Sequence, residues 1–255
     1  MSEQISSNKR RSALLVVAFV AVVVLVVGVI SVLLGDAVLG LIVAVVVAGA
    51  GSFVAYWKSD AAALAMAHAR PADPDQYARL HNVIEGLCVA AGLPKPRVYV
   101  IADDAPNAFA TGRNPRHAAI AVTTGLLDKL NRIELEAVLA HELSHVKNYD
   151  VLVSTLAVTL VGLPAVLVRP VFGPVVPLAV GRRREGQADL SGVSLTRYPP
   201  GLISALEKLR ADASVVHFNS RATAHLWIES PFARFNRVFD THPPLDERIK
   251  VLREL

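Results

Sequence analysis

Two apolar runs open the chain, and only two residues part them. Ala13 to Leu34 contains no ionisable side chain and is long enough to cross about 30 Å of hydrocarbon. Gly35-Asp36 form a turn, and Ala37 to Tyr56 repeats the run. Lys9, Arg10 and Arg11 precede the first run, and Tyr56-Trp57-Lys58 close the second with interfacial aromatics and a positive charge. The pattern predicts a transmembrane hairpin over residues 1–58. Basic residues at both outer ends put the N-terminus and everything after Lys58 on the cytoplasmic side. Two buried core helices are the alternative, which the lack of polar positions on either run disfavours. Val43 to Gly51 is rich in Ala and Gly, which lets helices approach closely in lipid.

Periodicity then changes. Asp60 to Arg70 reads as helical, and Pro71-Ala72-Asp73-Pro74 breaks it. Asp75 to Ala91 is amphipathic, with Tyr77, Leu80, Val83, Ile84, Leu87 and Cys88 on one face, and Gly92 and Pro94 end it. Arg97 to Ala102 and His117 to Thr123 read as short strands flanking a loop, Asp103 to Arg116. Gly125 to Leu130 is a helical turn. Asn131 is an N-cap with Glu134 as its capping-box partner, opening a helix that runs on to Asp150. Val151 to Val180 is apolar again, with Arg169-Pro170 at its middle and Pro174 and Pro177 in its second half. Two full crossings need about 40 residues, so this insert of about 30 predicts a partly inserted, interface-lying or buried helical hairpin. Gly181 to Arg197 is polar, Gly201 to Ala213 is an amphipathic helix started by Pro199-Pro200, and Leu245 to Leu255 is the last helix. The fold class is α+β and mostly helical, with a small sheet. Residues 59–255 form the unit that the hairpin anchors.

Composition sharpens the membrane reading. The 255 residues are 53% hydrophobic with a mean hydropathy of +0.44, high for a soluble domain. The net charge of +4 comes from basic residues that mostly flank apolar segments. That favours anionic lipid as partner, and no nucleic-acid motif is present. Cys88 is the one cysteine, so no intrachain disulfide forms.

Chemistry concentrates in the helix after Asn131. His141, Glu142 and His145 make H-E-x-x-H. Positions four apart lie over one another on a helix, so two imidazoles can grip one divalent metal ion. Glu142 lies beside it without having to bind it, where a general base for metal-bound water is needed. A catalytic zinc takes three protein ligands and keeps one position open, so a third ligand must come from elsewhere. Glu185 is the candidate. Asp189, one turn on, is placed to accept the spare N–H of a ligand imidazole, that of His141. The competing reading makes Glu185 and Asp189 solvated helix charges paired with Arg182 to Arg184.

HELSH at 141–145 with E-x-x-A-D at 185–189 resembles the HtpX-type membrane zinc metallopeptidases, a gluzincin group related to the CAAX prenyl proteases. PNAFATG at 106–112, AVTTGLL at 121–127, RRREGQAD at 182–189, THPPLDERI at 241–249 and the N-terminal hairpin extend the likeness over most of the chain. The segment between His145 and Glu185 is shorter than in that group, and Gly186 stands where an aromatic is commonest. The resemblance implies a zincin-like fold in which a small mixed sheet packs on the metal helix, with one Zn2+ per chain. It implies ATP-independent endopeptidase activity, in a multi-pass protein of the cell inner or plasma membrane, on damaged or misfolded membrane proteins. Unfolded polypeptides and the bilayer are then the partners; the oligomeric state stays open.

By motif, Asn107 and Ala108 would lie on an edge strand that pairs with substrate backbone, an arrangement that reads few side chains; Asn107 as a plain turn residue is the alternative. His242 would face the cleft and hydrogen-bond the tetrahedral oxyanion, or serve only in the turn that caps the last helix, with Arg248 tying it down. Two other functions remain open: processing of lipidated peptides, as in the CAAX-type enzymes, and a membrane-bound chaperone or scaffold with a vestigial zinc site. A transporter is disfavoured because no charge lies within a span.

Overall fold

A computed structural model describes residues 2–162, 183–217, 226–228 and 243–255. The chain opens with α1 (Ser2–Leu33) and α2 (Ala37–Met66). Gly35 makes the turn at φ +84°, and the Asp36 side chain caps α2 by accepting from the Leu39 N–H. Leu14, Val17, Leu25, Leu41, Val46 and Phe53 lie exposed along the pair. Both helices are long and apolar enough to cross a membrane. Such a surface suits lipid, since monomers in water rarely expose so large an apolar area.

The aromatic-basic cluster at 56–58 does not end the second helix. α2 runs on to Met66, and there Ser59, Ala63 and Leu64 are buried. The hairpin and the sheet-bearing part of the chain therefore share one helix across Lys58. The Arg113 guanidinium sits 4.3 Å from the Trp57 ring centre, a second tie between them.

β1 (Arg70–Pro71) follows, then α3 (Ala78–Ala91), which starts three residues later than the apolar pattern suggests. The Asp73 carboxylate accepts the N–H groups of Asp75 and Gln76, a local turn that competes with helix. β2 (Arg97–Ile101), β3 (Ala108–Gly112) and β4 (Ala118–Thr123) complete a mixed sheet in the order β1-β2-β4-β3. β2 and β4 are parallel, and β3 is antiparallel to β4, with Ala108 opposite Val122 and Ala110 opposite Ile120. β3 lies inside the stretch that its sequence pattern marks as loop. Every position in β3 and β4 is buried, because both sheet faces are covered. One face packs Ala110, Ile120 and Val122 on the central helix; the other packs Phe109, Ala119 and Ala121 against Ala63, Leu64 and Trp227. Burial on both faces erases the alternation by which strands are recognised.

After α4 (Thr124–Lys129) comes the central helix α5 (Arg132–Lys147). Its capping box is complete: the Asn131 side chain accepts the Glu134 N–H at 3.0 Å, and Glu134 accepts the Asn131 N–H at 2.8 Å. Glu134 also accepts from Ser204 and Lys208. α6 (Asp150–Gly162) packs Leu152, Val153, Leu156 and Ala157 against Leu15 and Phe19 of α1 and Ala55 of α2. The first part of the apolar insert is thus a third helix beside the hairpin; 163–180 lies outside the described residues. α7 (Arg183–Thr196), α8 (Pro199–Ala211) and α9 (Leu245–Arg253) complete the packing around α5.

Candidate metal centre

α5 is buried over most of its length, so its i, i+4 pair of imidazoles is held on a rigid element. His141 Nε2 and His145 Nε2 face each other at 3.2 Å, with the rings edge to face. Glu185, in the first turn of α7, brings Oε2 to 3.5 Å from His141 Nε2 and Oε1 to 3.7 Å from His145 Nε2. These three residues are the one cluster of this kind among the described residues, with ligand atoms within 4.8 Å of one another.

Gly192 makes the approach of α7 possible. A Cβ there would sit 2.9 Å from the His141 backbone nitrogen. Gly186, in contrast, would meet nothing within 4 Å, so the missing aromatic leaves no clash or contact to account for.

The outer faces of both imidazoles are tied down. Asp189 Oδ1 lies 2.8 Å from His141 Nδ1, the pairing expected from the E-x-x-A-D spacing. Asp189 is gripped in turn by Arg248 of α9, through Nε at 2.8 Å and Nη2 at 2.6 Å. Asp150 Oδ2 lies 3.0 Å from His145 Nδ1. The sequence reading gave Asp150 no role and assigned Arg248 only to the turn that caps the last helix. Arg248 carried a signal, since it lies on the buried stripe of α9 with Ile249 and Leu252, and an arginine there needs an acid. Asp150 carried a weaker one, an acid just past the end of the histidine helix.

With each Nδ1–H donated to a carboxylate, each Nε2 is left as an acceptor, and two acceptors 3.2 Å apart repel unless something positive joins them. A tetrahedral zinc with arms of about 2.0–2.1 Å sets its ligands about 3.3–3.4 Å apart. The Nε2 atoms at 3.2 Å fit that spacing, and Glu185 turns one oxygen to each ring at slightly longer range, Oε2 to His141 at 3.5 Å and Oε1 to His145 at 3.7 Å. Charge points the same way. Glu142, Asp150, Glu185 and Asp189 are all buried, against the buried Arg248 and the half-buried Arg184 at 3.2 Å from Glu185. Burial opposes a charge on His145, yet Glu185 and Asp150 push its pKa up to about 10. Burial also opposes a charge on Asp189, yet Arg248 and His141 hold it down to about 2. The pocket calls for a cation, and its nitrogen and carboxylate donors suit zinc.

Glu142 is buried beside this cluster, held by a backbone hydrogen bond from Ala110 of β3. Burial pushes its carboxyl up, with the two imidazoles pulling the other way. Asn107 spends both of its backbone groups on Thr123: its N–H donates to the Thr123 hydroxyl and its carbonyl accepts the Thr123 N–H. The Ala108 carbonyl faces the open side of β3 and accepts the Ile228 N–H at 2.9 Å, while Phe109 bridges Trp227. Two residues of the chain itself therefore occupy the edge foreseen for substrate. Arg248 holds them there through the Ile228 carbonyl, at 3.2 Å. His242 lies outside the described residues.

A mixed sheet whose edge strand overlies a helix carrying two imidazoles and a further acid, with a carboxylate delivered by α7, defines a metallopeptidase. Residues 74–255 match Peptidase family M48, and the chain belongs to that family and is of its HtpX type. It is 41% identical to the protease HtpX homolog of Thermoanaerobacter pseudethanolicus, over 80% of this chain and 81% of that one. It is 42% identical to that of Tropheryma whipplei, over 79% and 81%, and 37% identical to that of Lactobacillus helveticus, over 99% of both. The chain is accordingly a protease of a metal-dependent family.

Proposed function

We propose that the chain is a zinc-dependent endopeptidase of the plasma membrane, facing the cytoplasm, that cuts unfolded segments of damaged or misfolded proteins. The observation that carries this is the convergence of His141, His145 and Glu185 beside a buried, unligated Glu142. What zinc supplies there is polarisation of the scissile carbonyl and acidification of water. Glu142 takes the water's proton and returns it to the leaving amine, and the Ala110 N–H keeps its carboxylate aimed. Asp189 and Asp150 keep both imidazoles in the tautomer that leaves Nε2 free.

Ala108 offers its carbonyl to an extended substrate once Trp227 and Ile228 give way. A site read through backbone bonds favours chains already unfolded, since folded ones have no free strand to offer. The hairpin supports the membrane setting, and its flanking Lys9, Arg10, Arg11 and Lys58 support the cytoplasmic orientation.

The test is metal analysis of the purified chain and its Glu142→Gln variant, with cleavage of a casein-like unfolded substrate scored for both. The variant should keep one zinc per chain and lose activity by about 10²–10⁴-fold. Equal cleavage by both, or a wild-type chain without zinc, would overturn the reading. Cleavage confined to short lipidated peptides would move the substrate assignment to CAAX-type processing.

A further inference from the structure

The two ligand imidazoles are supported alike but by different means. His141 donates to Asp189, and Asp189 is held by the cationic Arg248. His145 donates to Asp150, and Asp150 is held by a neutral amide from the far end of the sequence. Asn8, in α1, donates through Nδ2 to Asp150 Oδ1 at 2.5 Å and to the Asn148 carbonyl at 2.9 Å. Asn8 is only 6% exposed and Asp150 only 2%. Beside them the Lys9 ammonium lies 4.6 Å from the centre of the Tyr149 ring, and Tyr149 takes a left-handed turn at φ +61° between α5 and α6. The start of α1 is thus seated on the junction of the two helices that deliver His145 and its carboxylate.

We propose that Asn8 is a positioning residue of the metal site, so that the first membrane helix completes the support of His145. The inference rests on the zinc reading above. A buried carboxylate stripped of one donor is free to turn, and the imidazole it steers loses its fixed orientation. Arg248 cannot substitute, because it serves the other ring. The anchor is then part of the catalytic apparatus: a chain whose first helix is displaced keeps all three ligands and holds metal poorly.

The test uses the full chain in lipid nanodiscs. Zinc loss to a competing chelator is timed for wild type, Asn8→Leu, Asp150→Asn and the double variant, and the visible bands of the cobalt-substituted forms are recorded. Leu15→Ala is the control, because it loosens the same packing of α1 on α6 without touching Asp150. Asn8→Leu should speed zinc loss about tenfold, the low end for outer partners of ligand histidines, and shift the cobalt bands. Leu15→Ala should do neither. Because Asn8 acts through Asp150, adding Asn8→Leu to Asp150→Asn should change little further.

Zinc retention by Asn8→Leu equal to wild type, an equal loss in Leu15→Ala, or full additivity in the double variant overturns the proposal while leaving the zinc site standing. A wild-type chain that binds no zinc removes both. If Asn8→Leu does not accumulate, Asn8→Ser decides, since its side chain is too short to reach both Asp150 and the Asn148 carbonyl.

Discussion

Replacing Gly192 by alanine tests how closely the third ligand depends on helix packing. The new methyl carbon would lie 2.9 Å from His141 N, 3.1 Å from His141 Cα and 3.3 Å from Ala140 C. All three are backbone atoms of the buried α5 and cannot swing aside. To restore ordinary contact near 3.4 Å, α7 must retreat by about 0.5 Å at that point. Glu185 and Asp189 ride on the same helix. The separations that Glu185 makes with the imidazoles, 3.5 Å through Oε2 and 3.7 Å through Oε1, are already longer than the spacing of neighbouring zinc ligands. Retreat stretches them to about 4 Å, against about 3.3–3.4 Å for a tetrahedral zinc. Overpacking costs roughly 1–3 kcal/mol, and alanine returns about 1 kcal/mol of helix propensity, so net destabilisation stays at about 0–2 kcal/mol. Zinc affinity should fall about 10–100-fold, as when the surroundings of a ligand are disturbed. Chelator competition and thermal unfolding measure the two quantities on one sample. Gly186→Ala is the internal control: on the same helix, with nothing within 4 Å, it should gain about 1 kcal/mol and leave affinity unchanged. Zinc affinity in Gly192→Ala within about twofold of wild type would refute the claim that close contact of α7 and α5 sets the ligand geometry.

Three further outcomes follow from the same packing. Arg248→Leu should destabilise the chain by about 3–5 kcal/mol, because it leaves the Asp189 carboxylate buried without its counter-charge; Arg248→Lys should recover only part, lacking the two-pronged grip, and chemical unfolding of the three proteins checks the order. Ile228→Pro removes the N–H that Ala108 accepts, so cleavage of an unfolded substrate should rise about 2–10-fold, the worth of one hydrogen bond; unchanged or lower kcat/KM with fold intact would show that residues 226–228 do not compete with substrate. Burial pushes the Cys88 thiol up to about 11, so the reactive thiolate is about 0.1% of the total at pH 8; alkylation of the native protein should be slow, quicken as pH rises towards that value, and become fast on unfolding.

Much of this protein follows from local chain geometry. The i, i+4 histidines, the Asn131–Glu134 capping box, the αL glycine after α3 and the two long apolar runs each depend on residues within one or two turns of one another. Backbone periodicity fixes their mutual placement before any tertiary contact forms, so the sequence could be read directly. Even the Glu185–Asp189 pair was legible, because one helical turn puts both carboxylates on a common face. Boundaries were less so: α2 outruns its aromatic belt because Ser59, Ala63 and Leu64 find burial beyond it. β3 reads as loop because both of its faces are covered.

Only tertiary structure decided what steadies the ligands. Asn8, Asp150 and Arg248 come from three helices, and no period links an asparagine in the first to an imidazole more than a hundred residues later. The seating of Trp227 and Ile228 on the edge of β3 is of the same kind. Such contacts depend on how whole helices stack, and that follows from the sum of buried surfaces, with no single motif to announce it.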